Sequence, residues 1–265
     1  MNNIFVKSLV SVGKIIVAIA LIYCTYLLLL QKDLGGIYFG IGFLILITLP
    51  TIFAVYFKNK FIKRHLKFAK AWKFLRIIYV LILILFVAIM AFGLYRLYQK
   101  NKTEKAIDFI NSTKITLDDV MGKNLPLEPD QKLNDSTISG IDANKNNIRD
   151  DVELAIFKEY PNSAKIRAAE LQYAQALQLE LTQVFNSKTL IPVMQKEDLS
   201  FDCLGFSGPD TSLATANKKQ KEVESLVFNT NLRTQKQSDI YKKYMTGYAS
   251  LPGNECDIEL SSLPN

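Results

Sequence analysis

Residues 77–95 are nineteen consecutive uncharged positions, closed at both ends by arginine, Arg76 and Arg96. At about 1.5 Å per helical residue such a run reaches roughly 28 Å, close to the hydrocarbon thickness of a bilayer. Everything before it is apolar or basic, and everything after it has the composition of a water-soluble helical domain. The run predicts a membrane span that divides the chain into a membrane half, 1–102, and an aqueous half, 103–265.

The charge follows the same division. Residues 1–102 hold 14 Lys and Arg against one acid, Asp33, whereas 103–265 hold 18 against 24; the resulting +13 and −6 make up the net +7 of the chain. The basic pI therefore belongs to the membrane half. An acidic aqueous half offers no field for a polyanion, which excludes nucleic acid as its partner.

Upstream, residues 15–30 form an uncharged stretch that Lys7 and Lys14 precede, and nothing near its end resembles the small-residue site of a cleaved signal. A second uncharged run, 34–57, follows Gly35-Gly36 and contains Pro50, so the two read as a membrane hairpin with a kinked second helix. Between them and the third span, residues 58–76 carry eight Lys and Arg and no acid. A short loop of that charge stays in the cytoplasm. The N-terminus is then cytoplasmic and the domain after the third span lies outside, in the periplasm of a bacterium with two membranes. No Asp, Glu or His interrupts the second or third run, which argues for an anchor in the lipid bilayer and against transport.

In the aqueous half, helical spacing at Ala106, Ile107 and Ile110 continues the third span. Residues 122–141 then read as irregular, and they lead into 142–153, Asp-Ala-Asn-Lys-Asn-Asn-Ile-Arg-Asp-Asp-Val-Glu. Counted from Asp142, side-chain oxygens fall at positions 1, 3, 5, 9 and 12, namely Asp142, Asn144, Asn146, Asp150 and Glu153, and the carbonyl of Ile148 occupies position 7. This is the order in which a tight loop folds oxygens onto a hard cation; calcium, with six to eight oxygen ligands, suits amides and a backbone carbonyl better than magnesium. Position 6 needs positive φ, and Asn147 tolerates it. Lys145 and Arg149 are compatible with a cation if they point outward. The competing reading is a bare helix start, with Asp150 as N-cap and Glu153 closing a capping box.

The loop resembles the D-x-D/N-x-D/N-G-I-x-D pattern of thrombospondin type-3 repeats more than an EF-hand or dockerin loop. A wider similarity joins it: Asp142 to Val152, Tyr160-Pro161, the Ala-, Leu- and Gln-rich stretch 168–178, Asn229-Thr230 with Arg233, and Cys256-Asp257 resemble a group of uncharacterised exported bacterial proteins. That resemblance implies a helical fold and an exported compartment for about 138–259, and no activity.

Residues 163–185 show the longest helical periodicity of the aqueous half, with Ser163 as its N-cap. Turn-forming residues make 187–209 read as a loop, and 212–233 and 238–249 read as two further helices. The tyrosines at 241, 244 and 248 read as packing residues. The fold class expected is all-α: three transmembrane helices, then a small helical extracytoplasmic domain. Cys203 and Cys256 are the only cysteines of the aqueous half, so an oxidising compartment would join them; two small buried hydrophobes are the alternative.

The only histidine, His65, precedes the third span, so the aqueous half has no histidine base, Ser-His-Asp triad or His-rich zinc site. Adjacent acids, Asp118-Asp119 and Glu197-Asp198, read as solvated surface. The expectation is a non-enzymatic binding protein with an envelope protein as partner, of the kind an immunity or inhibitor protein would be. A hydrolase using carboxylates around the cation is the alternative; it needs an open coordination position.

Overall fold

A computed structural model describes residues 66–208, 211–251 and 256–264, the side chains of 66–76, 79, 82 and 83 excepted. The first two expected spans, Cys24, Pro50 and the first part of the basic loop lie outside the described residues. Two compact units divide the chain, Met1–Ala91 and Phe92–Asn265. Among the described residues every regular element is helical.

The first helix, α1, is Leu66–Ser112, so the uncharged run and the stretch expected to continue it belong to one element. Among the described residues no helix is long and apolar enough to cross a membrane. Beyond α1 come α2 (Leu117–Val120), α3 (Gln131–Asp135), α4 (Asp150–Glu159), α5 (Ala164–Gln183), α6 (Ser187–Phe206), α7 (Leu213–Val227), α8 (Asn231–Tyr244) and a 3-10 turn, Leu260–Ser262.

Helix α5 is the hub. Sixteen of its 20 residues are buried, so α4, α6, α7, α8 and the C-terminal tail surround it, and its polar side chains need partners inside the protein. They find them on loop backbones: Arg167 donates to the carbonyls of Val120, Tyr160 and Pro161, Gln175 to that of Asn146, and Gln178 to that of Ser139, while Gln172 accepts from the N–H of Asp257. The glutamines of this helix fasten irregular segments that would otherwise bury unbonded carbonyls. Its start is as expected, with the Ser163 hydroxyl accepting from Ile166 N at 3.3 Å. The main apolar core gathers Ile148, Val152 and Ile156 with Leu171, Leu177, Leu204, Val223, Val227 and Leu263. A second cluster joins Ile110 to Leu179, Leu190, Val193, Met194 and Ile240, with Tyr241, Tyr244 and Tyr248 against it, so these tyrosines do pack.

The segment expected to be a loop, 187–209, is instead a helix to Phe206. Asn186 and Thr189 form a capping box, each side chain accepting from the other's backbone N–H, and Leu190, Val193, Met194 and Leu204 supply a buried stripe. Pro192 sits within the second turn, where the carbonyl it leaves unbonded belongs to the exposed Lys188. The expected helices 212–233 and 238–249 are also corrected: the chain breaks at Phe228 to Thr230, and the Thr230 hydroxyl caps a new helix by accepting from Arg233 N. Cys203, in the last turns of α6, forms a disulfide with Cys256 of the tail, with Cα atoms 5.1 Å apart. The bond thus ties a helix, rather than a loop, to the C-terminal segment.

Candidate functional site

The loop 142–149 winds tightly because its side chains bond its own backbone. Asp142 accepts from Asn146 N at 3.2 Å and from Asn147 N at 3.0 Å, and Asn146 Oδ1 accepts from Ile148 N at 2.9 Å. Asn147 has φ 64°, as position 6 demands, and Lys145 has φ 60°. The Ile148 side chain is fully buried in the main core, which pins the loop from beneath.

The end of the loop overturns the capping-box reading. Helix α4 begins at Asp150 with Arg149 in the N-cap position and no side-chain cap, and the two carboxylates turn back to the loop. Asp150 Oδ1 accepts from Ala143 N, and Glu153 Oε2 from Asn144 Nδ2, each at 2.9 Å. Arg149 is corrected as well. It does not point outward: it is 0% exposed, paired with Asp151, and donates to the carbonyls of Leu226 and Val227 at the C-terminal end of α7. There it satisfies two of the carbonyls that a helix terminus leaves orphaned, and its charge suits the negative end of the dipole.

The expected ligands are therefore partly assembled. Glu153 and Asn144 meet directly, and Asp150 is close enough to Asp142 to raise its cost of ionisation. Burial pushes the Glu153 carboxyl up to about 7, with Asp119 and Asp150 adding to the rise, and burial likewise raises Asp142 and Asp150. Asp119, from α2, comes within 3.5 Å of Asn146 Nδ2, a neighbour that loop spacing does not reveal. The donors have the hard-oxygen chemistry that calcium takes. Among the described residues, however, no three His, Cys, Asp or Glu side chains stand close enough to share one metal ion, so the loop supplies an order of oxygens rather than a converged carboxylate cage.

Gly140 holds the approach to the loop. Its φ is +64°, and a Cβ there would lie 2.2 Å from Arg149 Cδ and 2.7 Å from Asn134 Oδ1. Gly140→Ala should therefore lower the unfolding free energy by about 3 kcal/mol, from left-handed strain plus displacement of a buried arginine. A denaturant midpoint indistinguishable from wild type would show that Arg149 can move aside without loss.

The acid pairs divide. Asp119 closes the capping box of α2 with Thr116 and Asp118 pairs with Lys123; both are half-buried rather than fully solvated. Glu197-Asp198 departs from expectation. Asp198 accepts from Tyr248 and Ser250, while Glu197 turns inward toward Tyr241 and Glu180. The chain matches no known family model, no curated protein and no solved structure.

Proposed function

We propose that this chain is an inner-membrane protein whose helical domain stands in the periplasm as a non-enzymatic binding module, stiffened by calcium in loop 142–153 and by the Cys203–Cys256 disulfide. The observation that carries this reading is the apolar display of α1. Ile77, Leu81, Ile84, Leu85 and Phe92 each leave more than half of their surface uncovered by protein. Water penalises such surface by about 25 cal/mol per Å², whereas lipid does not. The eight basic residues of 58–76 support a cytoplasmic side for that segment, and the disulfide supports an oxidising compartment for the domain.

The residues of the wider sequence resemblance also favour a binding module over an enzyme. Arg149, Asp150, Tyr160, Arg233, Cys256 and Asp257 all hold the domain together through the bonds described for them or, for Asp257, by accepting from Ile115 N. None is left over for chemistry. An envelope immunity or inhibitor protein, stable in itself and presenting a surface to one partner protein, fits this economy of roles.

Reporter fusions test the topology: a periplasm-dependent reporter joined after Lys102 should be active, and one joined near Lys67 silent. The opposite pattern removes the reading. Calcium is tested on the detergent-solubilised full chain, whose melting temperature should rise with added calcium. A site that binds only the folded state contributes about 2.7 kcal/mol at a hundredfold excess over Kd, and extracellular modules bind near ~0.1–1 mM. Asp142→Ala and Asp150→Ala should each weaken the effect. A melting temperature indifferent to millimolar calcium would leave the loop with a purely structural role.

A further inference from the structure

Four helices converge on a group of acids that the binding-module reading does not use. Glu180 of α5 is 0% exposed, and although the Gln237 amide stands beside it, neither of its carboxylate oxygens makes a hydrogen bond of good geometry among the described residues; Glu197 Oε1 of α6 is in the same position. The two carboxyls face each other. Around them stand Tyr173 on α5, Asp198 on α6, Gln220 and Glu224 on α7, and Lys236, Gln237 and Tyr241 on α8. Several of these are already engaged. Glu224 accepts from Tyr173 at 3.1 Å and from Gln220 at 2.9 Å, Asp198 accepts from Tyr248, and Tyr241 donates to the other Glu197 oxygen at 3.4 Å.

Two buried carboxylates with three orphaned oxygens between them are a costly arrangement if both are charged. A proton on either one converts the contact into an O–H···O⁻ hydrogen bond, which supplies the missing donor and removes one of the two like charges. Among the described residues no three acids stand close enough to hold a metal ion instead. We propose that Glu180 and Glu197 share one proton across the α5–α6 contact, and that its loss loosens the C-terminal half of α8, making that half a pH-gated element of the domain.

The expected mover is α8 because of how it is held. Arg233 fixes its first turn by five donated hydrogen bonds, whereas its later turns rest on Ile240, on Tyr241 and Tyr244 against the second apolar cluster, and on the Tyr241–Glu197 bond, which reaches the acid pair itself. Burial is the first cause of a rise in both carboxyls, followed for Glu197 by the charge of Glu180; Glu180 is pushed up to about 8 and Glu197 well above the ordinary glutamate value of 4.5. Over this range the folded chain binds more protons than the unfolded one. The pair's contribution to stability is therefore complete below pH 4.5 and is lost as pH rises through the raised values of the folded state, that of Glu180 being about 8.

Infrared difference spectroscopy and hydrogen exchange on the full chain in detergent test the proposal. A protonated-carboxyl band should persist at pH 7 and disappear toward pH 9, and the part of it due to the pair should be missing in both Glu180→Gln and Glu197→Gln; Glu170, another buried acid pushed up to about 8, remains as a separate contribution in each. Exchange of the amides of 237–244, corrected for the chemical pH dependence, should accelerate at least tenfold between pH 7 and 9 in the wild type and not in Glu180→Gln. The wild type should also lose roughly 10 °C of melting temperature between pH 5 and 9 beyond what Glu180→Gln loses. Variants with an unchanged carboxyl band, or α8 exchange that ignores pH in the wild type, would overturn the shared proton or the gate respectively. A band that appears only after a chelator is added would overturn the proton in favour of a bound cation.

Discussion

Arg233→Ala should cost the domain about 5 kcal/mol, the upper end of what breaking one buried charged network does. The side chain is 0% exposed and donates to the carbonyls of Asn134, Thr137 and Ile138, to Asp135 and to Asn229. Alanine would remove five bonds at once and leave the carbonyl of Asn134 in α3 buried without this donor, and those of Thr137 and Ile138 without the donors of their part-buried bonds, a buried carbonyl costing about 1–3 kcal/mol before relaxation. Arg233→Lys would keep the charge and lose the fork, so it should recover less than half of the loss. The effect should reach the cation loop, because the segment clamped by Arg233 runs through Gly140 to Asp142, and Arg149 lies beside it under the same α7 end. Equilibrium unfolding in urea measures it. A destabilisation below about 1 kcal/mol would mean that water replaces the arginine in its bonds, and that the clamp is a feature of packing alone.

What the sequence made legible was local. Ser163 could be named as a cap because the hydroxyl, the helix it starts and the Pro161-Asn162 break before it are adjacent in the chain, and Asn147 could be assigned positive φ from its place in the loop. The all-helical class followed from periodicity that packing did not override. The misread side chains have one cause, which is that long-range partners decide them. Arg149 reads as an outward even position of a loop until α7 is placed against it, and Glu197 reads as half of a surface pair until α6 is known to be a helix. That helix was hidden by Pro192, Gly205 and the serines, although its buried stripe at 190, 193, 194 and 204 has helical spacing. The glutamines of α5 carried a signal that was available: a helix with Gln at 172, 175 and 178 among alanines and leucines has no solvated face, so those amides had to serve buried backbone.

The disulfide should be the other large single contribution. Cys203 and Cys256 close a loop with a sequence separation of 53, and the chain-entropy account gives about 4 kcal/mol for a loop of that size. The tail it secures is also held by other means. Asp257 donates its N–H to Gln172 and accepts from Ile115 N, Leu263 enters the core, and the carbonyl of Pro264 accepts from Ala164 N. Those contacts act in the folded state, whereas the cross-link acts mainly by restricting the unfolded chain, so the two contributions are separable. Cys203→Ala with Cys256→Ala should therefore lower the unfolding free energy by about 4 kcal/mol while leaving the helical content of the native protein unchanged. Alanine is the suitable replacement at 203, since that position is fully buried and a serine hydroxyl there would need a partner. Labelling the unreduced, denatured wild type with a mass-tagged maleimide should modify Cys24 alone. Modification of all three cysteines would show that the bond is not formed in the cell, and it would take away the support that an oxidising compartment gives to a periplasmic domain.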